Sequence, residues 1–330
     1  VFELSVLVTG GAGYIGSHTV KLLVNKGYDV VVYDSLEKGH RDAVGNVPLV
    51  VGNVLDTDLL QKTIRDYGVT SVVHFAAYSL VGESMKEPRK YYYNNVDGTA
   101  RLLNTMLNNQ VKKIVFSSTA AVYGEPDEIP ISEDSPKRPT SVYGKTKLIV
   151  EELLSYYLDK YGVQYVSLRY FNACGADESG ELGEDHDPET HLIPLIMQTA
   201  MGKRLRLQVF GDDYPTPDGT CIRDYIHVND LALAHVLALE ALEEGKPSSV
   251  YNLGNGRGFS VKEVIETAEK VTGEKIKYEI DPRRAGDPAV LVASSEKIRR
   301  ELGWEPLYTS LEGIIYSAWR WHQKHPEGFG

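Results

Sequence analysis

The stretch Thr9-Gly10-Gly11-Ala12-Gly13-Tyr14-Ile15-Gly16 limits what this chain can fold into more than any other. It follows a β-rich run, Leu4–Val8, and opens a helical pattern, Tyr14–Asn25. Gly11, Gly13 and Gly16 fit G-x-G-x-x-G, and Gly10, Gly13 and Gly16 fit G-x-x-G-x-x-G. Glycines at this spacing permit a tight strand-to-helix turn, let a pyrophosphate approach the backbone and bring helix and strand close. The start of the helix, at Tyr14 and Ile15, offers free N–H groups and a positive dipole end to phosphates. Asp34 ends the second strand pattern 18 residues after Gly16, near the spacing of about 20 expected for the acid that grips a ribose diol. A carboxylate there repels a 2′-phosphate, so the expected dinucleotide is NAD and not NADP.

The runs Leu4–Val8, Asp29–Tyr33, Leu49–Val51, Val72–Phe75, Lys113–Phe116 and Tyr165–Leu168 read as strands. Helical patterns at Tyr14–Asn25, Asp56–Tyr67, Tyr91–Asn109 and Tyr143–Tyr161 separate them. Strands apolar throughout and alternating with helices predict an α/β fold, a Rossmann-type doubly wound parallel sheet covered on both faces. The alternation fades after Gly175, and helices are expected at Leu192–Met201, Val228–Glu243, Val261–Val271 and Leu311–His322. Residues 1–175 are therefore expected to form the dinucleotide domain. Residues 176–330 read mainly as a smaller α/β C-terminal substrate lobe, with parts returning to the first domain. The connection Gly124–Thr140 carries four prolines, and a loop of that length after a sheet strand is usually functional or disordered.

A net charge of −11 argues against a nucleic-acid partner, whose phosphates an acidic surface repels. No apolar run approaches the roughly 18 residues of a membrane span, so no membrane partner is expected. The first ten residues carry no basic region and flow into a strand, which argues against a signal peptide. Two cysteines, Cys174 and Cys221, are too few for a disulfide framework, and a cytoplasmic location is expected.

Tyr143 and Lys147 stand four residues apart on a predicted helix, which places both on one face. A free phenol has a pKa near ~10 and is a poor base at neutral pH. Lowering it by ~3 units takes ~4 kcal/mol, which a lysine and a cationic nicotinamide can supply together in a water-poor cleft. Such a pair alone is common on exposed helices. Its weight comes from Ser117-Ser118-Thr119, which closes the strand Lys113–Phe116 at the sheet edge that also carries the glycine loop.

Together these features resemble the extended short-chain dehydrogenase/reductase superfamily. Longer strings resemble the UDP-galactose 4-epimerases within it: TGGAGYIGSH, HFAAYSLVGES, YYYNNVDGT, FSSTAAVYG, LRYFNACGA, GEDHDPETHLIP, FGDDYPTPDGTCIRDYIHV and YNLGNG. The resemblance spans essentially the whole chain. It implies that Tyr143 is the acid/base, that Lys147 tunes it and holds the nicotinamide ribose, and that Thr119 bonds the reacting 4-oxygen. It sets Ser35, Asn53, Val54, Phe75, Ala76, Ala77, Asn95, Ser117, Tyr170 and Phe171 around NAD, with Asp34 and the glycine loop. Asn172, His191, Leu192, Gln208, Phe210, Arg223, Tyr225, Arg284, Asp287 and Leu291 would face UDP-galactose or UDP-glucose. Arginine suits a pyrophosphate because its fork grips two oxygens at once. The resemblance also implies a homodimer, through the helices at Tyr91–Asn109 and Tyr143–Tyr161.

The chain departs from the family at several points. Asn53 stands where an Asp meets the adenine amino group, Ser79 where some relatives carry a lysine, His191 where an Asn is usual, and Leu291 where some members have a tyrosine. Ala120 and Ala121 follow Thr119, where the related sugar-nucleotide dehydratases carry acids. A dinucleotide sensor on the same fold would lose the Tyr/Lys pair, which this chain keeps. The acids and histidines of Asp185–His191 match no usual zinc or calcium spacing, and Pro188 breaks any helix that would align them. They read as a polar loop, with no metal expected.

Overall fold

The computed structural model describes residues 4–284 and 287–329. Strands β1 (Ser5–Thr9), β2 (Asp29–Asp34), β3 (Leu49–Val51), β4 (Ser71–His74), β5 (Lys113–Thr119) and β6 (Gln164–Tyr170) form one sheet with a seventh strand, Ser249–Leu253. All six pairings in it are parallel. The order runs Ser249–Leu253, β6, β5, β4, β1, β2, β3, so the direction of winding reverses at β1 and opens a crevice there.

Why the strands lack apolar/polar alternation is plain from the two layers they separate. Val6 and Val8 of β1 pack with Val20 and Leu23 of the first helix and with Leu231, Val236 and Leu239 of the helix Val228–Glu243. Leu7 points the other way, into Leu60, Leu102, Met106, Val150 and Leu154 from three other helices. Each such side chain contributes about 1.5–3 kcal/mol by leaving water.

The helices Tyr14–Asn25 and Val228–Glu243 begin and end where the sequence places them. The helix Val142–Tyr161 starts where Ser141 Oγ accepts the Gly144 N–H at 3.0 Å, and it ends at Gly162 in the left-handed region. The expected helix Tyr91–Asn109 is observed in three parts: Pro88–Tyr91, a wider π-type turn over Tyr92–Asp97, and Gly98–Asn108.

In the second half, Ile222–His227 pairs with Gly258–Ser260, Val290–Leu291 and Asn172–Cys174. Leu207–Phe210 pairs separately with Tyr278–Asp281. Buried Asp224 ties this region together by accepting N–H groups from Asn255 (2.7 Å), Gly256 (3.1 Å) and Ala293 (3.1 Å). The proline-rich connection after β5 is held at Ile131, which is fully buried and exchanges backbone hydrogen bonds with Val292 and Ser294. Among the described residues, no helix is long and apolar enough to cross a membrane.

Candidate active site

The glycine turn is shaped by close backbone approaches. Gly10 donates to Tyr33 O at 2.9 Å with φ +73°, and a Cβ on it would lie 2.6 Å from Ala76 N. A Cβ on Gly16 would lie 2.2 Å from Gly10 O, so helix and strand could not stay this close with any other residue. At Gly13 the geometry differs: a Cβ there would meet only Gly10 O, at 3.4 Å, and would enter the open cradle above the turn. That cradle, at the N-terminus of the helix carrying Tyr14 and Ile15, fits a dinucleotide pyrophosphate.

Asp34 closes β2 beside it. Its Oδ2 accepts the Ala12 N–H at 3.0 Å and its Oδ1 the Leu36 N–H at 2.8 Å. Burial pushes its pKa up, while those two donors and His40 work against the rise. Ser35 is exposed next to it, Val54 is buried, and Asn53 Oδ1 accepts the Leu55 N–H at 2.9 Å. The N–H groups of Phe75 and Ala76 both donate to Thr9 O, at 2.8 and 3.1 Å, which brings the segment 75–77 across the mouth of the crevice. Asn95 fastens the same segment, bonding Tyr78 N and Tyr78 O at 2.9 Å each.

Ser117 and Thr119 end β5 in register with β6, Thr119 opposite Tyr170. Ser117 and Tyr170 share a hydroxyl–hydroxyl hydrogen bond. The helix Val142–Tyr161 lays Tyr143 and Lys147 against this strand end, both buried. Lys147 Nζ donates to Ser117 O at 2.7 Å and lies 5.9 Å from the centre of the Tyr143 ring. Burial pushes the Tyr143 phenol up to about 12, opposed by the Thr119 hydroxyl beside it. Burial pulls Lys147 down to about 7, opposed by Glu151. The protein by itself therefore disfavours the charged form of both groups.

Sequence spacing does not reveal what lies behind this pair. Buried Glu151, one helical turn beyond Lys147, accepts from Ser118 Oγ at 2.5 Å and from Arg169 Nε at 2.9 Å, and it also pairs with Arg169 Nη2. Arg169 continues to Tyr123 OH at 2.8 Å, and Tyr123 to Asn252 Oδ1 at 2.6 Å. Ser84 Oγ accepts the Tyr143 N–H at 3.1 Å. The sequence signal for this network is an acid, Glu151, one turn beyond Lys147 on the buried face of this helix.

The expected substrate residues gather where the smaller sheets meet the end of β6. Phe171 is buried, and Asn172 pairs with Tyr225 across two strands. Arg223 Nη2 lies 3.3 Å from Asp287 Oδ1, and the Arg284 guanidinium sits 3.9 Å over the Phe210 ring. Leu291 is in register with Arg223 and packs against Val122, Tyr123, Ile131, Phe171 and Ala293. Gln208 is exposed on the strand that carries Phe210. Leu192 opens the helix Leu192–Ala200, with His191 at its N-cap. His191 also joins a cluster with Glu184, His186 and Glu189, which spacing alone did not bring together. Against the cost of burial, the carboxylates hold His186 up at about 9 and His191 at about 10.

A parallel sheet wound in this order, with its glycine cradle, ribose acid and Tyr-x-x-x-Lys helix on one edge, defines a nicotinamide-dinucleotide protein of the short-chain dehydrogenase/reductase class. Residues 6–254 match the NAD dependent epimerase/dehydratase family, and the chain belongs to it. It is 57% identical over 326 residues to a UDP-glucose 4-epimerase of Halalkalibacterium halodurans, covering 99% of this chain and 98% of that one. A crystal structure of UDP-glucose 4-epimerase from Brucella ovis in complex with NAD superposes with a TM-score of 0.94 at 50% identity, covering 96% and 97% of the two chains. The UDP-Glc/GlcNAc 4-epimerase of Campylobacter jejuni superposes with a TM-score of 0.85 at 43% identity, covering 97% and 99%.

Proposed function

We propose that this chain interconverts UDP-galactose and UDP-glucose by transient oxidation at sugar C4. The observation that carries this is the buried meeting of Tyr143 and Lys147 with the end of β5, at the sheet edge that also bears the dinucleotide cradle. When bound, NAD takes hydride from C4, returns it to the other face of the 4-keto sugar, and brings a cationic ring that favours the Tyr143 phenolate. Tyr143 removes and returns the proton of the 4-hydroxyl. Thr119 holds the same oxygen. Lys147, anchored on Ser117 O, adds positive charge when protonated and holds the nicotinamide ribose. The glycine turn, Asp34 and the segment 75–77 hold the rest of NAD. Arg223 and Arg284 meet the substrate diphosphate, and Leu192 and Phe210 its uridine.

Leu291 favours a second substrate. A leucine at the pocket wall leaves more room than a tyrosine, so N-acetylated UDP-hexosamines are accepted as poorer substrates. The chain works as a cytoplasmic homodimer through the helices ending at Asn108 and Tyr161, a reading supported by exposed Tyr93, Tyr156 and Tyr161 on that side of the fold.

Incubation with UDP-galactose should yield UDP-glucose, and Tyr143→Phe should lower turnover at least ~100-fold while NAD stays bound. A dehydrated product or no conversion would overturn the reaction. A Phe variant keeping more than about half of wild-type turnover would overturn only the choice of base.

A further inference from the structure

The segment between Gly183 and His191 is wedged between the dinucleotide cradle and the substrate side of the fold. His186 meets the Tyr14 ring edge-on with centroids 6.1 Å apart, and His40 Nε2 bonds Asp185 O at 3.1 Å. At the far end His191 begins the helix Leu192–Ala200.

Within this segment four side chains meet head to head. Glu184 Oε1 lies 2.6 Å from His191 Nδ1 and 3.3 Å from His186 Nδ1. Glu189 Oε2 lies 3.6 Å from His186 Nδ1, and Glu189 Oε1 lies 3.5 Å from His191 Nδ1. One ligand atom from each residue falls within 4.8 Å of all the others. The Glu184 and Glu189 side chains are only 4% and 6% exposed. Among the described residues, Glu184 Oε1 and His186 Nδ1 are buried with no hydrogen-bond partner. Two carboxylates and two imidazoles thus converge on one point, with Glu184 and Glu189 buried beneath it and His191, whose side chain is 49% exposed, at its solvent edge.

Zinc bonds of about 2.0–2.1 Å in a tetrahedron put neighbouring ligand atoms about 3.3–3.4 Å apart. Three imidazole–carboxylate separations, 3.3 to 3.6 Å, lie close to that spacing, those of Glu189 through its two different oxygens. Glu184 Oε1 and His191 Nδ1 stand at hydrogen-bond distance, 2.6 Å, and must part by several tenths of an ångström to share a cation. Two nitrogens with two carboxylate oxygens suit zinc and its transition-metal neighbours, whereas magnesium and calcium prefer oxygen alone. Backbone N–H groups also pre-set one ligand: Glu189 Oε1 accepts from Thr190 at 2.7 Å and from His191 at 2.8 Å.

We propose that Glu184, His186, Glu189 and His191 form a four-ligand site for a zinc-class divalent cation. With four protein ligands the site is closed, and its part is structural. It fastens the segment to its own following helix and so braces the wall between cofactor and substrate. It takes no part in the chemistry at C4. Its existence does not depend on the epimerase reading, because metal content is measured without substrate.

The full chain, stripped with chelator, is incubated with zinc, desalted and assayed for metal by mass spectrometry. The expected result is about one equivalent of zinc retained, with retention at least ~10-fold lower in His186→Ala/His191→Ala. Zinc should also raise the melting temperature of the wild type but not of that variant, and magnesium and calcium should do neither. Cobalt(II) added to the wild type should give a tetrahedral absorption spectrum, which decides the matter even if the variant fails to fold. Retention below about 0.2 equivalents with unchanged melting overturns the site and leaves a protonated ion-pair network. Equal retention in a folded variant, or a non-tetrahedral cobalt spectrum, overturns it as well.

Discussion

Lys147 is 3% exposed and held by Ser117 O at 2.7 Å, and burial draws its pKa down to about 7. In the unfolded chain a lysine titrates near ~10.4. Between those two values the unfolded chain binds more protons, so this group makes stability rise with pH. Below about 7 both states carry the proton, and the full cost of an ammonium in the core is present. Without cofactor, Lys147→Met should therefore be more stable than the wild type at pH 6. Its advantage should shrink toward pH 9 by at most about 1.4 kcal/mol per unit. Denaturant unfolding at several pH values measures this, and a pH-independent difference would contradict the assigned burial cost. Leu291 allows a test of selectivity at the same scale. It packs against the cluster of Phe171 and Val122, the latter three residues beyond Thr119, and on the proposed reading a larger side chain there narrows the hexose site. An N-acetyl group adds three heavy atoms over a hydroxyl, and a pocket rejects a misfit group far better than a missing one, the latter by only ~1–3 kcal/mol. Leu291→Tyr should lower kcat/KM for UDP-N-acetylgalactosamine at least ~10-fold and leave UDP-galactose within a few-fold. An unchanged ratio, or no wild-type turnover of the acetylated sugar, removes Leu291 from the pocket wall.

The π-type turn Tyr92–Asp97 shows how an element departs from its sequence pattern for a tertiary reason. Asn95, 2% exposed, satisfies both backbone groups of Tyr78 and so holds the segment that crosses the cofactor crevice. Asn95→Ala leaves a part-buried N–H and C=O of Tyr78 without this partner, and should cost about 1–3 kcal/mol in urea unfolding while loosening NAD. A loss below about 0.5 kcal/mol with NAD retention unchanged would show that water replaces the amide. Periodicity read Tyr91–Asn109 as one helix because a partner 17 residues away leaves no mark on local spacing. The helix Val228–Glu243, by contrast, was legible to the residue, since its packing on the sheet imprints a continuous apolar pattern. The same contrast runs through the site. The glycine turn, Asp34 and the Tyr143/Lys147 face are local and could be read directly. The Glu151–Arg169 pair, Ser84 under Tyr143 and the meeting of Glu184 with His191 arise from chain reversals that no spacing rule contains.

Across the whole molecule, five buried histidines have their pKa lowered by burial, His322 among them, and they set how it responds to acid. Burial lowers His18 and His235 to about 4, and it lowers His74 and His227 to about 3. Their positions differ. His74 bridges Thr9 and Thr99 at 2.6 and 2.8 Å, while His235 lies beneath Phe75 and Tyr170 and bonds Leu231 O. Their thermodynamic sign is common. Each starts from 6.5 when unfolded. The stability each contributes is fully present above that value and is lost as pH falls toward the folded pKa. His186 and His191 have the opposite sign without metal: raised to about 9 and about 10, they stabilise fully below 6.5 and lose that contribution as pH rises through those values. At pH 5 this second pair is protonated in both states and cancels. Unfolding at pH 5 should then take up about four protons from His18, His74, His227 and His235, with a further contribution from His322, beyond any carboxylate contribution. Calorimetry in buffers of different ionisation enthalpy measures that uptake. His74→Gln should reduce it by about one and flatten the acid limb of stability by up to about 1.4 kcal/mol per pH unit. The substitution keeps a donor and an acceptor near Thr9 and Thr99, so a fall in uptake reports titration and not a lost contact. Uptake unchanged by the substitution would mean that His74 is already protonated in the folded chain, and that Thr9 and Thr99 hold an imidazolium instead.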